Sequence, residues 1–276
     1  MRITRPLLST LLAPLVLSGA AMAQDLPTEP TEQPSGNEHP SGGGGYPLAL
    51  VSRPMTLDAG LLQLNGVIPI GHASLGLVSE TAIGLSAGVT YGVTDDLTVN
   101  AVVLPLQLSP SASYGNPIVG ARYRFLPGST EVGGQVSLIV PIRTGSDFTV
   151  GLGVPVRAEF SDAMSLDTGF NLGIVFASTL VTTQSIPVNL HFQATPELAI
   201  SLDTGLGLSR LDFDTLGIPL GVSALYAIAG GPNAPLVDLG ASFGFPIFLA
   251  PGSGGDVVVT EFWALGLMVN FYLGTN

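Results

Sequence analysis

Residues 130–142, TEVGGQVSLIVPI, and residues 148–160, FTVGLGVPVRAEF, decide the fold of this chain. Both runs alternate with a period of two residues, the period of a β-strand, whose successive side chains point to opposite faces. One face of each run is apolar and the other is small or polar. The apolar faces consist of Val132, Gly134, Val136, Leu138, Val140 and Ile142 in the first run and of Val150, Leu152, Val154, Val156, Ala158 and Phe160 in the second. Since a tilted strand needs roughly 9–11 residues to cross a bilayer, the two runs predict a membrane-spanning hairpin.

The composition supports a membrane protein that is built without helices. Only 10% of the residues are charged, against about 25% in ordinary soluble domains, and the mean hydropathy is +0.52. Beyond residue 23, however, no apolar stretch reaches the roughly 18 residues of a transmembrane helix. A closed barrel is the other structure that satisfies every backbone group in lipid. We therefore predict an all-β fold, a transmembrane antiparallel up-and-down β-barrel of about 12 strands with both termini periplasmic. A soluble β-sandwich is the alternative.

The alternation places twelve strands along the chain. Their predicted cores are 54–65, 81–93, 97–107, 117–126, 130–142, 148–160, 165–177, 186–193, 197–209, 218–229, 236–248 and 258–273. Short turns are expected at one end of the barrel, and mostly longer connections, at 66–80, 108–116, 143–147, 178–185, 210–217 and 249–257, at the other.

Aromatic residues on the apolar faces sort into two groups by height. Those expected near the short turns are Tyr91, Tyr123, Phe125, Phe160, Phe192, Tyr226 and Phe271, and those expected near the other end are Phe148, Phe176, Phe245 and Trp263. Two aromatic girdles at the two bilayer interfaces are typical of outer-membrane barrels, which favours the barrel over the sandwich.

The first 46 residues are predicted to lie outside the barrel. Residues 1–23 carry two arginines, an apolar stretch and the small-residue site Ala21-Met22-Ala23, and they predict a secretion signal that is cleaved before Gln24. Residues 24–46 are rich in Pro, Gly and Ser and predict a disordered periplasmic linker, with a plug folded into the lumen as the alternative. Residues 47–276 form the predicted barrel, and the predicted location is the cell outer membrane.

The charges exclude several classes of partner and cofactor. The chain has no cysteine, so disulfides and thiolate metal sites are impossible. Six arginines stand against twenty acids after the signal, a net charge of about −14 that argues against nucleic acid. With three histidines in all, the sequence predicts no metal site and no cofactor.

The face opposite the apolar one should line the lumen, and its charges gather near the short turns. These lumen or constriction candidates are Arg122, Arg124, Glu131, Arg157, Glu159, Asp167, His191 and Asp238. Higher up, the expected lining is small and nearly neutral. Two interpretations stay open. The charges pair with one another and close the base of the barrel, because buried charges are costly unless paired. Alternatively, they form a constriction in which Arg122, Arg124 and Arg157 set ion selectivity.

One short motif raises the question of catalysis. His72-Ala73-Ser74 has the His-x-Ser spacing that resembles the outer-membrane phospholipase and lipid A deacylase. The motif is predicted to lie in the first long loop, and the surrounding Gly-Arg-Ser pattern of the phospholipase is missing. We therefore expect no enzyme, and a lipid-modifying hydrolase is the more distant alternative.

The hairpin sequence YGVTDDL at 91–97 resembles a recurrent phrase of predicted transporters associated with meta-pathway phenol degradation. This resemblance implies a passive route for small compounds, hydrophobic ones included. The expected function is a pore or passive transporter, with a sealed structural or interaction barrel as the alternative. The expected partners are the outer-membrane bilayer, the outer-membrane assembly machinery and small solutes.

Overall fold

A computed structural model of the protein describes residues 46–75, 78–231, 234–249 and 262–274. The predicted signal, residues 1–23, lies outside the described residues, and so does the predicted linker apart from Tyr46. No helix among the described residues is long and apolar enough to cross a membrane.

The described residues form one turn of 3-10 helix, Leu50–Ser52, followed by thirteen strands. The strands are β1 (Leu62–Leu75), β2 (Val78–Thr94), β3 (Leu97–Ser109), β4 (Ser113–Tyr114), β5 (Ile118–Leu126), β6 (Thr130–Ile139), β7 (Phe148–Ser161), β8 (Met164–Phe176), β9 (Leu180–Gln193), β10 (Leu198–Ser209), β11 (Asp212–Gly231), β12 (Ala234–Leu249) and β13 (Phe262–Leu273).

The strands close into an antiparallel barrel. β1 pairs with β13 and with β2, β2 pairs with β3, and β3 pairs with β5. From β5 to β13 each strand pairs with the next one in the chain, which closes the ring. The two-residue strand β4 pairs only with β3, at the rim. Twelve strands therefore make the wall, which confirms the predicted up-and-down barrel and its strand number.

The two faces of the wall match the alternation in the sequence. Large apolar side chains are exposed on the outside of every long strand, for example Val136, Leu152 and Val154. All seven aromatic residues predicted near the short turns lie exposed on this outer face, as do Phe148 and Phe176 of the other group. An exposed apolar belt with an aromatic girdle is the surface of a barrel that crosses a bilayer.

We call the end of the barrel with the turn Asp95–Asp96 the base, and the opposite end the mouth. The mouth differs from the prediction, because three of its connections are as tight as those of the base. Strands fill most of the predicted loops 66–80, 178–185 and 210–217. In the first of these, Pro69 and Gly71 lie on the inner face of β1, where small residues suffice.

The predicted first strand, 54–65, is wrong over most of its length. Only its last four residues belong to β1, which begins at Leu62. The preceding residues, 46–61, contact the inner wall at the base, and we call them the inner segment. Met55 and Leu57 alternate with polar residues as in a strand, but both are buried against the lumen wall.

Candidate functional site in the barrel lumen

The inner segment crosses the lumen at the base. At its start, the Val51 amide donates to Gln193 Oε1 on β9 at 2.9 Å. Arg53 then pairs with Asp238 on β12, and the Met55 amide donates to Glu131 Oε2 on β6 at 2.7 Å. β6 and β12 are six positions apart in a ring of twelve strands, so they stand on opposite walls. The segment therefore spans the full width of the lumen.

Further contacts fix the two ends of this crossing. Leu50 packs in an apolar cluster with the inward side chains Val67, Ala199, Leu225 and Met268. At the other end the Leu57 amide donates to Thr98 Oγ1 at 2.8 Å, and Thr56 Oγ1 donates to the Asp95 carbonyl at 2.6 Å. Residues of the barrel wall therefore bind both ends of the inner segment.

Arg53 is the most completely coordinated side chain of the segment. Its guanidinium binds both carboxylate oxygens of Asp238, with 2.7 Å from Nη2 to Oδ1. Nη1 also donates to the Tyr272 hydroxyl at 2.9 Å, and that hydroxyl donates to Asp238 at 2.5 Å. The rings of Tyr46 and Tyr272 lie 5.6 and 5.3 Å from the guanidinium carbon, within the range of cation–π attraction. The remaining donors bind the carbonyls of Pro47 and Leu48.

The charge state of Arg53 is fixed by the same neighbours. Burial alone would lower the pKa of Arg53, but Tyr272 and Asp238 beside it raise that pKa above its ordinary value. Burial also raises the pKa of the Tyr46 phenol, which therefore stays neutral. The centre of the crossing is thus a charged pair that is enclosed by neutral rings.

A glycine in the wall makes room for the segment. The Gly92 amide donates to the Leu61 carbonyl at 2.9 Å, and its carbonyl accepts from the Gly60 amide at 2.8 Å. A Cβ atom at Gly92 would clash with the Asp58 carbonyl oxygen and lie 2.7 Å from that of Leu57. The missing side chain of Gly92 is therefore what lets the inner segment lie against β2.

All eight predicted lumen residues lie on the inner face, but they separate into distinct groups. Arg124 binds Glu131 at 2.6 Å and Asp96 at 2.9 Å. Arg157 lies 3.2 Å from Asp167, which is also 3.1 Å from His191 Nε2.

The other predicted residues have different neighbours. His191 Nδ1 lies 2.7 Å from Ser201 Oγ, so both ring nitrogens have partners in the wall. Asp238 does not join the predicted arginines, because Arg53 binds it. Glu159 lies half-buried on the face that it shares with Arg157. Arg122 donates to Gln135 Oε1 at 2.9 Å and to the Met55 carbonyl at 3.4 Å.

Arg53 and Tyr272 are central residues that the sequence reasoning missed. Arg53 immediately precedes the predicted strand 54–65, and Tyr272 lies near the end of the predicted strand 258–273. An arginine flanked by Leu50, Val51 and Met55 was the available signal, since a charge among apolar residues implies a buried partner.

Between the inner segment and the mouth the lumen holds a cavity of about 650 Å³. Its floor includes Arg53, Met55 and Leu57, and its upper lining includes Asn116 and Arg143 from the connections at the mouth. Amide and hydroxyl side chains line the space between, among them Asn65, Thr90, Asn100, Gln135 and Asn171. A volume of this size is within the range of pockets for small molecules.

The His72 motif lies in β1 rather than in a loop, which corrects its predicted position. His72 faces outward and stacks on Trp263 with ring centroids 5.2 Å apart. Its ring nitrogens lie 2.9 Å from Thr81 Oγ1 and 3.3 Å from Ser79 Oγ. Among the described residues, no group of three His, Asp or Glu side chains is arranged to hold a metal ion.

No family model matches this chain, and no curated protein matches it. An outer-membrane channel from Pseudomonas putida F1 superimposes with a TM-score of 0.56 at 14% identity, over 79% of this chain and 97% of that one. The NanC porin gives 0.53 at 10% identity, over 75% and 100%. The KdgM porin in complex with disordered oligogalacturonate gives 0.51 at 11% identity, over 74% and 98%. The fold is that of outer-membrane porins and channels. At these identities the likeness concerns the fold alone.

Proposed function

We propose that this protein is a passive outer-membrane channel for small solutes whose base is narrowed by its own inner segment. The observation that carries the proposal is the cavity of about 650 Å³, which extends from the inner segment to residues of the mouth. A wall of amides, hydroxyls and small residues gives water and small solutes hydrogen-bonding partners along that path. The porin and channel neighbours support the same function by analogy of fold.

The proposal includes an orientation. We place the base on the periplasmic side, with residues 1–23 as a cleaved signal and residues 24–45 as a periplasmic linker, and we expect insertion by the outer-membrane assembly machinery. The channel proposal assigns no catalysis to the chain. Epitope tags inserted at the turn 127–129 and in the connection 140–147 test the orientation, since only the second should be accessible on intact cells.

A sealed barrel is the second candidate, and the crossing of the base by the inner segment favours it. Displacement of the inner segment from the base distinguishes the sealed barrel from the channel. In liposomes that contain the wild-type protein, a channel gives solute-dependent swelling, and Arg53→Met, which destabilises the seated inner segment, should swell faster. Vesicles reconstituted with the unrelated sealed barrel of a small structural protein serve as the control. If wild type and Arg53→Met both swell no faster than that control, the channel proposal is wrong.

A further inference from the structure

The same five-residue sequence occurs twice in the wall of the barrel. Residues 165–169 of β8 and residues 201–205 of β10 both read Ser-Leu-Asp-Thr-Gly. Each copy pairs with a preceding strand that carries a proline in its interior, Pro155 on β7 and Pro187 on β9. We call the hairpin β7–β8 hairpin 1 and the hairpin β9–β10 hairpin 2.

The backbone of the two copies has the same local geometry. Pro155 is in register with Gly169 in hairpin 1, and Pro187 is in register with Gly205 in hairpin 2. The two glycines have φ angles of 149° and 152°, and a Cβ atom at either would lie 2.4 Å from a carbonyl oxygen of the paired strand. The threonine of each copy donates its hydroxyl to a proline carbonyl of the following strand at 2.8 Å. Positions of the two hairpins can therefore be compared one by one.

The aspartates of the two copies, Asp167 and Asp203, have different neighbours. Asp167 is in register with Arg157 on β7 and with Asn189 on β9. Asp203 is in register with Asn189 and with Gly221 on β11. Arg157, Asn189 and Gly221 are 32 residues apart in succession, and each stands two residues after a proline. The side chain at this position thus becomes shorter from one strand of the series to the next.

Hairpin 1 shows which group this aspartate position binds. The Arg157 guanidinium lies 3.2 Å from Asp167 Oδ1, and Arg157 Nη2 donates to Ser165 Oγ at 3.1 Å. Ser165 and Asp167 belong to the same copy of the repeated sequence. The carboxylate of hairpin 1 is therefore paired with a guanidinium that comes from the neighbouring strand.

Asp203 of hairpin 2 has a neutral partner in the part of the chain that the structure describes. Ser223 Oγ donates to Asp203 Oδ2 at 3.0 Å, and none of the ion pairs of the described residues includes Asp203. The nearby His191 ring directs its two nitrogens to Ser201 and Asp167 instead. Because a hydroxyl donor carries no charge, the negative charge of Asp203 is not cancelled by its partner.

The wall beside Asp203 leaves space for a planar cation. Asp203 lies on the inner face of β10 and is half-buried. On one side Asn189 is shorter than the arginine of hairpin 1, and on the other side Gly221 has no side chain. A Cβ atom at Gly221 would lie 3.8 Å from Asp203 Cβ, and its two nearer contacts are backbone atoms of Phe243 and Gly244.

We propose that Asp203 binds the guanidinium group of small organic cations in the lumen, as Asp167 binds the guanidinium of Arg157. A planar guanidinium donates two parallel N–H bonds to a carboxylate, which makes this pair stronger and more specific than a pair with a point charge. This inference rests on the proposed channel function and names a substrate class for it.

The test compares three probes, which are methylguanidinium, its neutral isostere N-methylurea, and methylammonium, which has the charge without the plane. Binding to the detergent-solubilised full-length protein is measured by calorimetry. We expect methylguanidinium to bind at least tenfold more tightly than N-methylurea and at least threefold more tightly than methylammonium. Asp203→Asn should weaken the binding of methylguanidinium at least tenfold. Asp162→Asn is the matched control, since it removes the same charge from the exposed β7–β8 turn, and its dissociation constant should stay within about twofold of wild type.

A second pair of variants tests the equivalence of the hairpins. Asn189→Arg gives hairpin 2 the arginine of hairpin 1, so it should occupy Asp203 and weaken methylguanidinium binding at least tenfold. Asn189→Gln lengthens the same side chain without charge and should stay within about threefold of wild type.

Three results would each overturn the inference. They are equal binding of methylguanidinium and either other probe, unchanged binding by Asp203→Asn, and equal binding by Asn189→Arg and Asn189→Gln. Calorimetry does not need conduction. Binding that depends on Asp203 in a barrel that passes no solute would therefore support the site and contradict only the channel.

Discussion

Arg53 and Asp238 form a bidentate ion pair inside the barrel, with side chains only 1% and 0% exposed. The pair joins the inner segment to β12, while the next contact of the segment, from the Met55 amide to Glu131, reaches the opposite wall. The pair thus binds the middle of the inner segment to the wall.

The first prediction concerns the loss of one partner of this pair. Arg53→Met should destabilise the seated inner segment by about 3–5 kcal/mol, because it leaves the Asp238 carboxylate buried and unpaired. The double variant with Asp238→Leu should recover much of that loss in global stability. Thermal unfolding, followed by the gel migration of unboiled and boiled protein, gives the stabilities. Equal unfolding temperatures for wild type and Arg53→Met would contradict the prediction.

The second prediction tests the space at Gly92. Gly92→Ala should displace the inner segment, because its Cβ would meet the Leu57 and Asp58 carbonyls. Met55, now 6% exposed, should then be oxidised faster by hydrogen peroxide, with Met164 on β8 as the internal reference in the same mass spectra. Gly217→Ala is the control, since a Cβ there meets no atom within 4 Å. A Met55 rate that is the same in both variants would show that the segment tolerates the substitution.

The third prediction separates the arginines that the sequence grouped as one selectivity filter. Arg124 and Arg157 are paired with carboxylates at 2.6 and 3.2 Å, so Arg124→Gln and Arg157→Gln should lower stability. Arg122 lines the cavity, so Arg122→Gln should shift the reversal potential in a salt gradient toward cation preference. A larger shift of the reversal potential in Arg157→Gln than in Arg122→Gln would refute this assignment.

The fourth prediction is a pH dependence of the inner segment. Burial, and secondarily the neighbouring Asp95 carboxylate, raises the pKa of Asp58, although Arg124 opposes the shift. A raised carboxyl pKa favours the protonated form of Asp58 in the folded state. The contribution of this protonated carboxyl to the stability of the inner segment is therefore present at low pH and is lost as the pH rises through the folded pKa. Oxidation of Met55 should therefore accelerate over that interval in the wild type. Asp58→Asn should remove this step, and a persistent step would assign it to another group.

The wall of the barrel could be predicted from the sequence because its two faces differ chemically. In β6 and β7 the alternation of apolar and small residues sets the register and places Glu131 and Arg157 inside. The mouth was less predictable, because residues 67–71 of β1 are apolar or small on both faces and the alternation disappears there.

The inner segment could not be predicted for a different reason. A segment with Met55 and Leu57 buried against an inner wall has the same alternation as a strand that faces lipid, and only three-dimensional closure distinguishes the two. The partner of Asp238 could not be predicted from the sequence either, since Arg53 and Asp238 are 185 residues apart in the chain.

This separation constrains the order in which the protein can assemble. Arg53 finds its carboxylate on β12 and its hydroxyl on β13, which lie 185 and 219 residues further along the chain. The inner segment is made before any strand of the barrel, yet Arg53 cannot find its partners until the last two strands are in place. The buried pair of Arg53 and Asp238 therefore forms only after the wall has been completed, and it reports that completion.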